Sequence, residues 1–486
     1  MTVLCASGGY AGGEKQRVDS GSRIADSGLG MEDAECGKAA SHPSAIYNPQ
    51  STIPSSSFHP STIQNPKSSI LNPQSPIRIV RIGATKFGRG TFAGKLLDYL
   101  SYYLGVAWRL LVMQPRPDRI IALTTPPYLS VLARAVSKLR GADHAHWVMD
   151  LYPDVMSAHG MLDERSVPYR ILSFLTRWGF GGRRCAIVLT LGPDMAERVG
   201  RYLERKGIVD RGSQMGDREK KVKWVPLWAT AEGGAQRAEG GARIVDSGLG
   251  IGDAECGKAA SHPSTIHNPQ STIPSSSSPS SKIQNPKSKI SISSLRAARG
   301  WREGEMVVMY SGNMGLGHRF GEVLEAARQM AGKPVRFVFF GGGKRRQELE
   351  EFARNHPQCA VEVHDYAPAE ILTAHLQSAD VHLASLDANW TGTMVPSKLQ
   401  GIFVAGRPVI FVGSSESSIG RWVLESGGGW TLAPEDVAGL LAALAESRNP
   451  ETRALRGRAA KAFAEGNFDK STNVIRVAGI LAEKNR

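Results

Sequence analysis

Short apolar runs of strand length, most of them closed by glycine, serine or an acidic residue and followed by a helix-length amphipathic stretch, constrain this chain more than any other feature. In the first half the runs are IRIVRI (77–82), DRIIALTT (118–125), AHWVMD (145–150) and AIVLTL (186–191). Helical patterns fill 94–113, 128–139 and 169–179, and Pro193 stands where a further helix would start. The second half repeats the alternation, with EMVVMYSG (305–312), VRFVFFGGG (335–343), VEVHDY (361–366), DVHLAS (380–385) and a strand at 408–411. Helices are expected from Phe320, Arg345 and Pro368, between Lys398 and Gly406, and at 472–484. Strands apolar on both faces belong in parallel sheets covered on both sides, so the predicted fold class is α/β, two Rossmann-like domains in series. A length of 486 residues with 41% hydrophobic content supports two such cores.

One segment breaks the pattern twice. Residues 21–70 return almost unchanged as 241–290, each copy ending in a Ser/Pro/Asn/Gln-rich stretch with neither helical nor strand period. Neither copy carries enough apolar surface to offset its chain entropy, so both are predicted to be disordered insertions. The expected organisation is a first domain from 1–13 and 71–229 interrupted by an insertion at 14–70. An insertion and linker at 230–292, a second domain at 293–470 and a closing helix at 471–486 complete it.

A formal net charge of +14 favours anionic partners: nucleic acid, lipid headgroups or sugar diphosphates. The basic residues are scattered rather than interleaved with aromatic platforms, which disfavours nucleic acid. Arg183, Arg184 and the basic residues within 218–223 read as solvated surface that would also hold the chain to an anionic membrane. The most apolar window, 96–113, contains Asp98 and Arg109, so it predicts an amphipathic or buried helix rather than a span. No signal peptide is read in residues 1–13. The five cysteines form no CxxC pair, which suggests neither a zinc site nor a disulfide framework and fits a reducing, cytoplasmic compartment.

Ligands of doubly wound sheets bind at the carboxyl ends of strands. There YSGNMGLGHRF (310–320) sets Gly312, Gly315 and Gly317 in a βα turn, where backbone N–H groups can approach phosphate oxygens. A dinucleotide would need an acidic residue ending the next strand, and that strand ends in glycines, so NAD is disfavoured. In VPSKLQGIFVAGRPVIF (395–411), Lys398 lies between a Pro-Ser turn and a short helix that Gly406 ends, a place for a diphosphate-binding cation. Asp150 is either a helix cap or a residue facing a cleft, and His146 reads as packed.

MYSGNMGLGH, FVFFGGG, the Asp365-Tyr366 pair, VPSKLQGIFVAGRPVIF, LTTPPYL and HWVMDLYPDV together resemble the retaining glycosyltransferases of the GT-B fold, family-4 type, in the branch that builds capsule, exopolysaccharide and O-antigen. The resemblance implies a transferase moving a sugar from a nucleotide-sugar to a lipid-linked saccharide at the inner face of the plasma membrane, with no cofactor and no metal. It implies a donor diphosphate lined by Gly312, Asn313, Gly315 and His318, with Lys398 beside it, Arg319 as a helper, Tyr366 near the base, and Asp150 facing the transferred sugar. Many members carry two glutamates where this chain has Thr393 and Gly401, and an Arg and a Lys where it has Asn313 and His318. TVLCASGGYAGG corresponds to the second strand of the family's first domain, so its first βα unit is expected to be missing. The alternatives are a damaged copy that binds sugar nucleotide without transfer, and a sugar-nucleotide epimerase of the same fold.

Overall fold

The computed structural model describes residues 2–6, 78–85, 87, 92–204, 221–229 and 291–483. Both copies of the repeat, and with them nearly all of the two predicted insertions, lie outside the described residues. The chain divides into two compact units, 1–84 and 85–486. In the first, β1 (Thr2–Ala6) and β2 (Arg78–Ile82) pair in parallel, Thr2 opposite Arg78 and Ala6 opposite Ile82.

The second unit holds two parallel sheets. The smaller has the order β3 (Arg119–Leu123), β4 (Asp143–Trp147), β5 (Cys185–Thr190), β6 (Val222–Trp224). Its helices are α1 (Phe92–Val112), α2 (Leu129–Arg140), α3 (Asp154–Ala158), α4 (Val167–Phe180) and α5 (Pro193–Glu204). As its sequence requires, β5 is buried along its whole length, and α4 starts at Ser166, whose side chain accepts from Tyr169 N at 3.3 Å.

The larger sheet contains β7 (Met306–Ser311), β8 (Val335–Phe340), β9 (Val361–His364), β10 (Val381–Ser385), β11 (Val409–Val412) and β12 (Gly429–Leu432) in the order β12-β11-β10-β7-β8-β9. The chain thus builds outward in one direction from β7 and then in the other from β10, so the switch point lies between these two strands. The accompanying helices are α6 (Ile292–Ala298), α7 (Gly321–Gln329), α8 (Arg346–Asn355), α9 (Leu372–Gln377), α10 (Lys398–Val404), α11 (Ser418–Ser426), α12 (Val437–Glu446), α13 (Pro450–Asn467) and α14 (Lys470–Ala482).

Local differences from the sequence reading have local causes. The helix expected from Pro368 is a single turn, Ala369–Ile371, before α9. The strand expected at 408–411 is Val409–Val412, because proline has no N–H for the ladder. The closing helix begins earlier than expected because Asp469 caps it through Thr472 N at 2.7 Å. The sequence reading had no counterpart for α3, or for β12 with α11, α12 and α13 around it.

One core cluster joins both sheets: Val148, Leu151, Val155, Leu191 and Met195 pack with Leu386, Trp390, Val395, Phe403, Trp422 and Phe468. The last helix, α14, returns to the first sheet, where Val477, Ile480 and Leu481 pack with Ala145, Ile187, Leu189 and Val225. Helix α1 presents Leu96, Leu100, Leu104 and Trp108 to solvent at a spacing of four residues. No helix among the described residues is long and apolar enough to cross a membrane.

Candidate functional site

The switch point collects the residues singled out at the strand ends. The turn after β7 and the turn after β8 lock together through backbone: Gly312 N donates to Phe340 O at 2.8 Å, Met314 N to Gly342 O at 2.6 Å and Arg345 N to Met314 O at 2.9 Å. This closeness requires glycine. A Cβ on Gly341, whose φ is +135°, would overlap the carbonyl oxygen of Gly312. A Cβ on Gly343 (φ +126°) would lie 2.5 Å from Asn313 Oδ1 and 2.6 Å from Met314 O.

Lys398 opens α10 and crosses this turn: a Cβ on Gly312 would lie 2.6 Å from its Cε. Its Nζ stands 5.4 Å from the ring centre of Tyr310 and 3.1 Å from His318 Nε2. The other ring nitrogen, Nδ1, is 2.7 Å from Ser385 O at the end of β10, so Nδ1 carries the proton and Nε2 accepts from the lysine. Burial, reinforced by the neighbouring Lys398 charge, pushes the His318 pKa well below its ordinary value. The pair is therefore a neutral imidazole orienting an ammonium, with the positive charge on Lys398.

Asn313 accepts from Tyr310 OH through its carbonyl at 2.6 Å, and Gly315 O accepts from His318 N at 3.1 Å, so this turn is fixed from both sides. Tyr366 is 60% exposed and its ring lies along the glycine loop, 3.3 to 3.4 Å from where Cβ atoms of Gly341 and Gly342 would stand. Arg319 points elsewhere. Its guanidinium meets Glu322 at 2.7 Å, Asp387 at 3.2 Å and Glu435 at 3.5 Å, and its backbone N–H donates to Ser385 Oγ at 3.0 Å. It braces the loops behind the site.

Asp150 comes from the first sheet. It forms an antiparallel bridge with Met394, and Leu151 N donates to Thr393 O at 2.9 Å, which brings the end of β4 to the segment that leads into Lys398. Thr124 Oγ1 holds the backbone N–H groups of Met149 and Asp150 at 3.1 and 3.2 Å. A cavity of about 20 Å³, room for about one water, is lined by Thr124, Tyr128, His146, Asp150, Tyr152 and Thr176. Thr393 is fully buried with its hydroxyl on Trp390 O at 2.8 Å, and its carbonyl, accepting from Leu151 N, joins the two halves.

The sequence reading passed over three residues here. Tyr128 caps α2 with a φ of +65°, a conformation that bulky residues rarely take. His159 packs edge-on against Trp390 at 4.5 Å, and its pKa is lowered first by burial and then by the charge of Lys344. Lys344 is the residue after the glycine run. The only local signals were PPY before a helix and a lysine closing GGGK.

Residues 305–447 match the family model described as "Glycosyl transferases group 1". The chain is 25% identical over 187 residues to the putative colanic acid biosynthesis glycosyl transferase WcaI of Escherichia coli K12, covering 38% of this chain and 45% of that protein. It is 26% identical over 140 residues to the probable glycosyltransferase WbjE of Pseudomonas aeruginosa, covering 29% and 35%. The matches thus span less than half the length of these curated relatives. Among solved structures, Anabaena HepE in complex with UDP superposes with a TM-score of 0.51 at 11% identity, over 83% of this chain and 86% of that one. Likeness at this level establishes the α/β architecture of the GT-B glycosyltransferases, and the fold alone.

Proposed function

We propose that the chain is a retaining glycosyltransferase of cell-surface polysaccharide biosynthesis, moving a sugar from a nucleotide-sugar donor to a lipid-linked saccharide. The observation that carries this reading is Lys398, oriented by neutral His318 over the Gly312 turn at the switch point, inside the segment that matches the glycosyl transferase family model. The likeness to WcaI, a putative colanic acid biosynthesis glycosyl transferase, and to WbjE, a probable glycosyltransferase, and the UDP bound to HepE point the same way.

In this reading Gly312, whose own N–H is held by Phe340 O, lines the site by letting Lys398 cross close to the backbone, while the backbone N–H groups of Asn313 and Gly315 and the Lys398 ammonium bind the diphosphate. They stabilise the charge that develops as the nucleoside diphosphate leaves, which is where preorganised charge contributes most. Transfer then needs no metal ion. The exposed ring of Tyr366 offers a stacking surface for the base. Asp150 faces the transferred sugar from the other half, and the acceptor attacks from the side the diphosphate leaves. The apolar stripe of α1 supports peripheral contact with the inner face of an anionic membrane.

Differential scanning fluorimetry with UDP and GDP, followed by radiolabelled sugar transfer into membrane lipid, tests the reading. A raised melting temperature with label in the lipid fraction supports it. Binding without transfer identifies a damaged copy, and conversion of free donor without acceptor identifies an epimerase. No response to either nucleotide overturns the reading.

A further inference from the structure

His144 and His146 stand two residues apart on β4, so both side chains leave the same face of the sheet, and both are 1% exposed. Cys185, fully buried at the start of β5, joins them because the ladder is irregular there. His144 pairs with Cys185, whereas Ala145 pairs with Ile187, leaving Ala186 unmatched. In a regular ladder Cys185 would fall opposite Asp143 and face the α14 side. The extra residue turns it onto the histidine side, the kind of re-aiming that bulges perform. One ring nitrogen from each histidine and the Cys185 sulfur lie within 4.8 Å of one another.

Hydrogen bonds set the tautomers. Ser137 Oγ donates to Arg134 O, so it accepts from His144 Nδ1 at 2.9 Å, and Gly179 O accepts from His146 Nε2 at 3.0 Å. Of the remaining nitrogens, His146 Nδ1 is buried with no hydrogen-bond partner among the described residues, and His144 Nε2 makes no well-formed hydrogen bond, although the Gly181 carbonyl acts on that ring. Burying an acceptor unpaired is costly, so the arrangement calls for an occupant. Imidazoles whose second nitrogen is held by a hydroxyl or carbonyl, beside a thiol, are also how proteins orient metal ligands.

We propose that His144, His146 and Cys185 supply the three protein ligands of a buried site for a thiophilic cation, Zn²⁺ in class, inside the smaller sheet, with a water in the fourth position. Two imidazoles and a thiolate match zinc and exclude the oxygen-seeking Mg²⁺ and Ca²⁺. Zinc–nitrogen and zinc–sulfur bonds of about 2.0–2.3 Å place tetrahedral ligands roughly 3.3–3.7 Å apart, so the three atoms need to close by at most about 1–1.5 Å from a spread within 4.8 Å. Binding forms the metal–sulfur bond and releases the thiol proton to solvent, and both histidines are already neutral. Burial holds His144 at about 4 and His146 at about 3 and pushes the Cys185 thiol up to about 12, with Lys221 and Arg134 favouring the thiolate. The site is separate from the donor site and calls for no metal in transfer.

The full chain should be expressed in minimal medium supplemented with zinc or cobalt. About one metal per chain and, in the cobalt form, a thiolate-to-metal charge-transfer band are expected. Cys185→Ser should lose the band and most of the metal, and lose a zinc-dependent rise in melting temperature on the order of 5 °C. His364→Ala, on an exposed strand end, should keep all three. A native chain with no band and no metal overturns the proposal and leaves a water as the occupant. Equal metal in Cys185→Ser and the native chain also overturns it. If Cys185→Ser fails to fold, the native cobalt spectrum decides.

Discussion

At the scale of single residues the donor-side cluster rests on one lysine and on glycines that nothing else can replace. Removing the Lys398 ammonium deletes a charge-assisted contact worth about 1.5–3 kcal/mol, so Lys398→Ala should weaken UDP or GDP binding roughly 10- to 100-fold in calorimetry. The melting temperature without ligand should change little. Gly341→Ala is the opposite case. Its new methyl group would overlap Gly312 O at a φ of +135°, so a stability loss of about 2–4 kcal/mol in urea unfolding is expected together with the loss of nucleotide binding. Gly401 sits inside α10 with an ordinary φ, and a Cβ there meets only Leu376 Cδ1, at 3.3 Å. A leucine tip can yield, so Gly401→Ala should stabilise by about 0.5–1 kcal/mol. The places of Lys398 at a helix start and of the Gly312 turn at a strand end were legible because turn chemistry is local. The brace made by Arg319 was not, because Glu322, Asp387 and Glu435 come from three separate segments.

At the scale of elements two helices have consequences beyond their own segment. The exposed Leu100 and Leu104 of α1 lie on the stripe proposed above to meet a membrane. Leu100→Glu with Leu104→Glu should abolish sedimentation with anionic vesicles while leaving nucleotide binding intact; unchanged sedimentation would remove α1 from the membrane reading. Helix α14 was foreseen as a closing helix, yet its partner was not. Asn473 Nδ2 donates to Pro226 O at 3.2 Å, and the carbonyls of Leu481 and Glu483 both accept from the Arg119 guanidinium. Val477→Asp would bury a charge against Ala145 and Val225, so a loss of about 3 kcal/mol or more is expected. Trp147 and Trp228, 6.4 Å apart on that cluster, should report the change in fluorescence.

At the scale of the whole molecule, buried neutral histidines set the response to acid. Burial lowers His375 to about 3 and His382 to about 4, and holds His318 well below its ordinary 6.5. All three therefore take up a proton on unfolding once the pH falls below about 6.5. Their contribution is complete above that value and shrinks on the way down to the folded values. It declines by up to ~1.4 kcal/mol per pH unit for each histidine, so the urea midpoint should be lower at pH 5.5 than at pH 7.5. Composition supports a separate expectation: deleting 21–70 and 241–290 should leave cooperative unfolding unchanged, and a large loss of stability would show that the repeats pack. By itself the sequence determined the alternation of apolar strands and helices, hence the parallel α/β class, and the glycine turn and lysine at strand ends. These follow from periodicity and turn chemistry within a few residues. Only the tertiary structure decided that Asp150 meets Met394, that α14 returns to the first sheet, and that one unmatched residue in β5 brings Cys185 to His144 and His146. Register and chain return depend on contacts far apart in sequence, where local pattern carries no information.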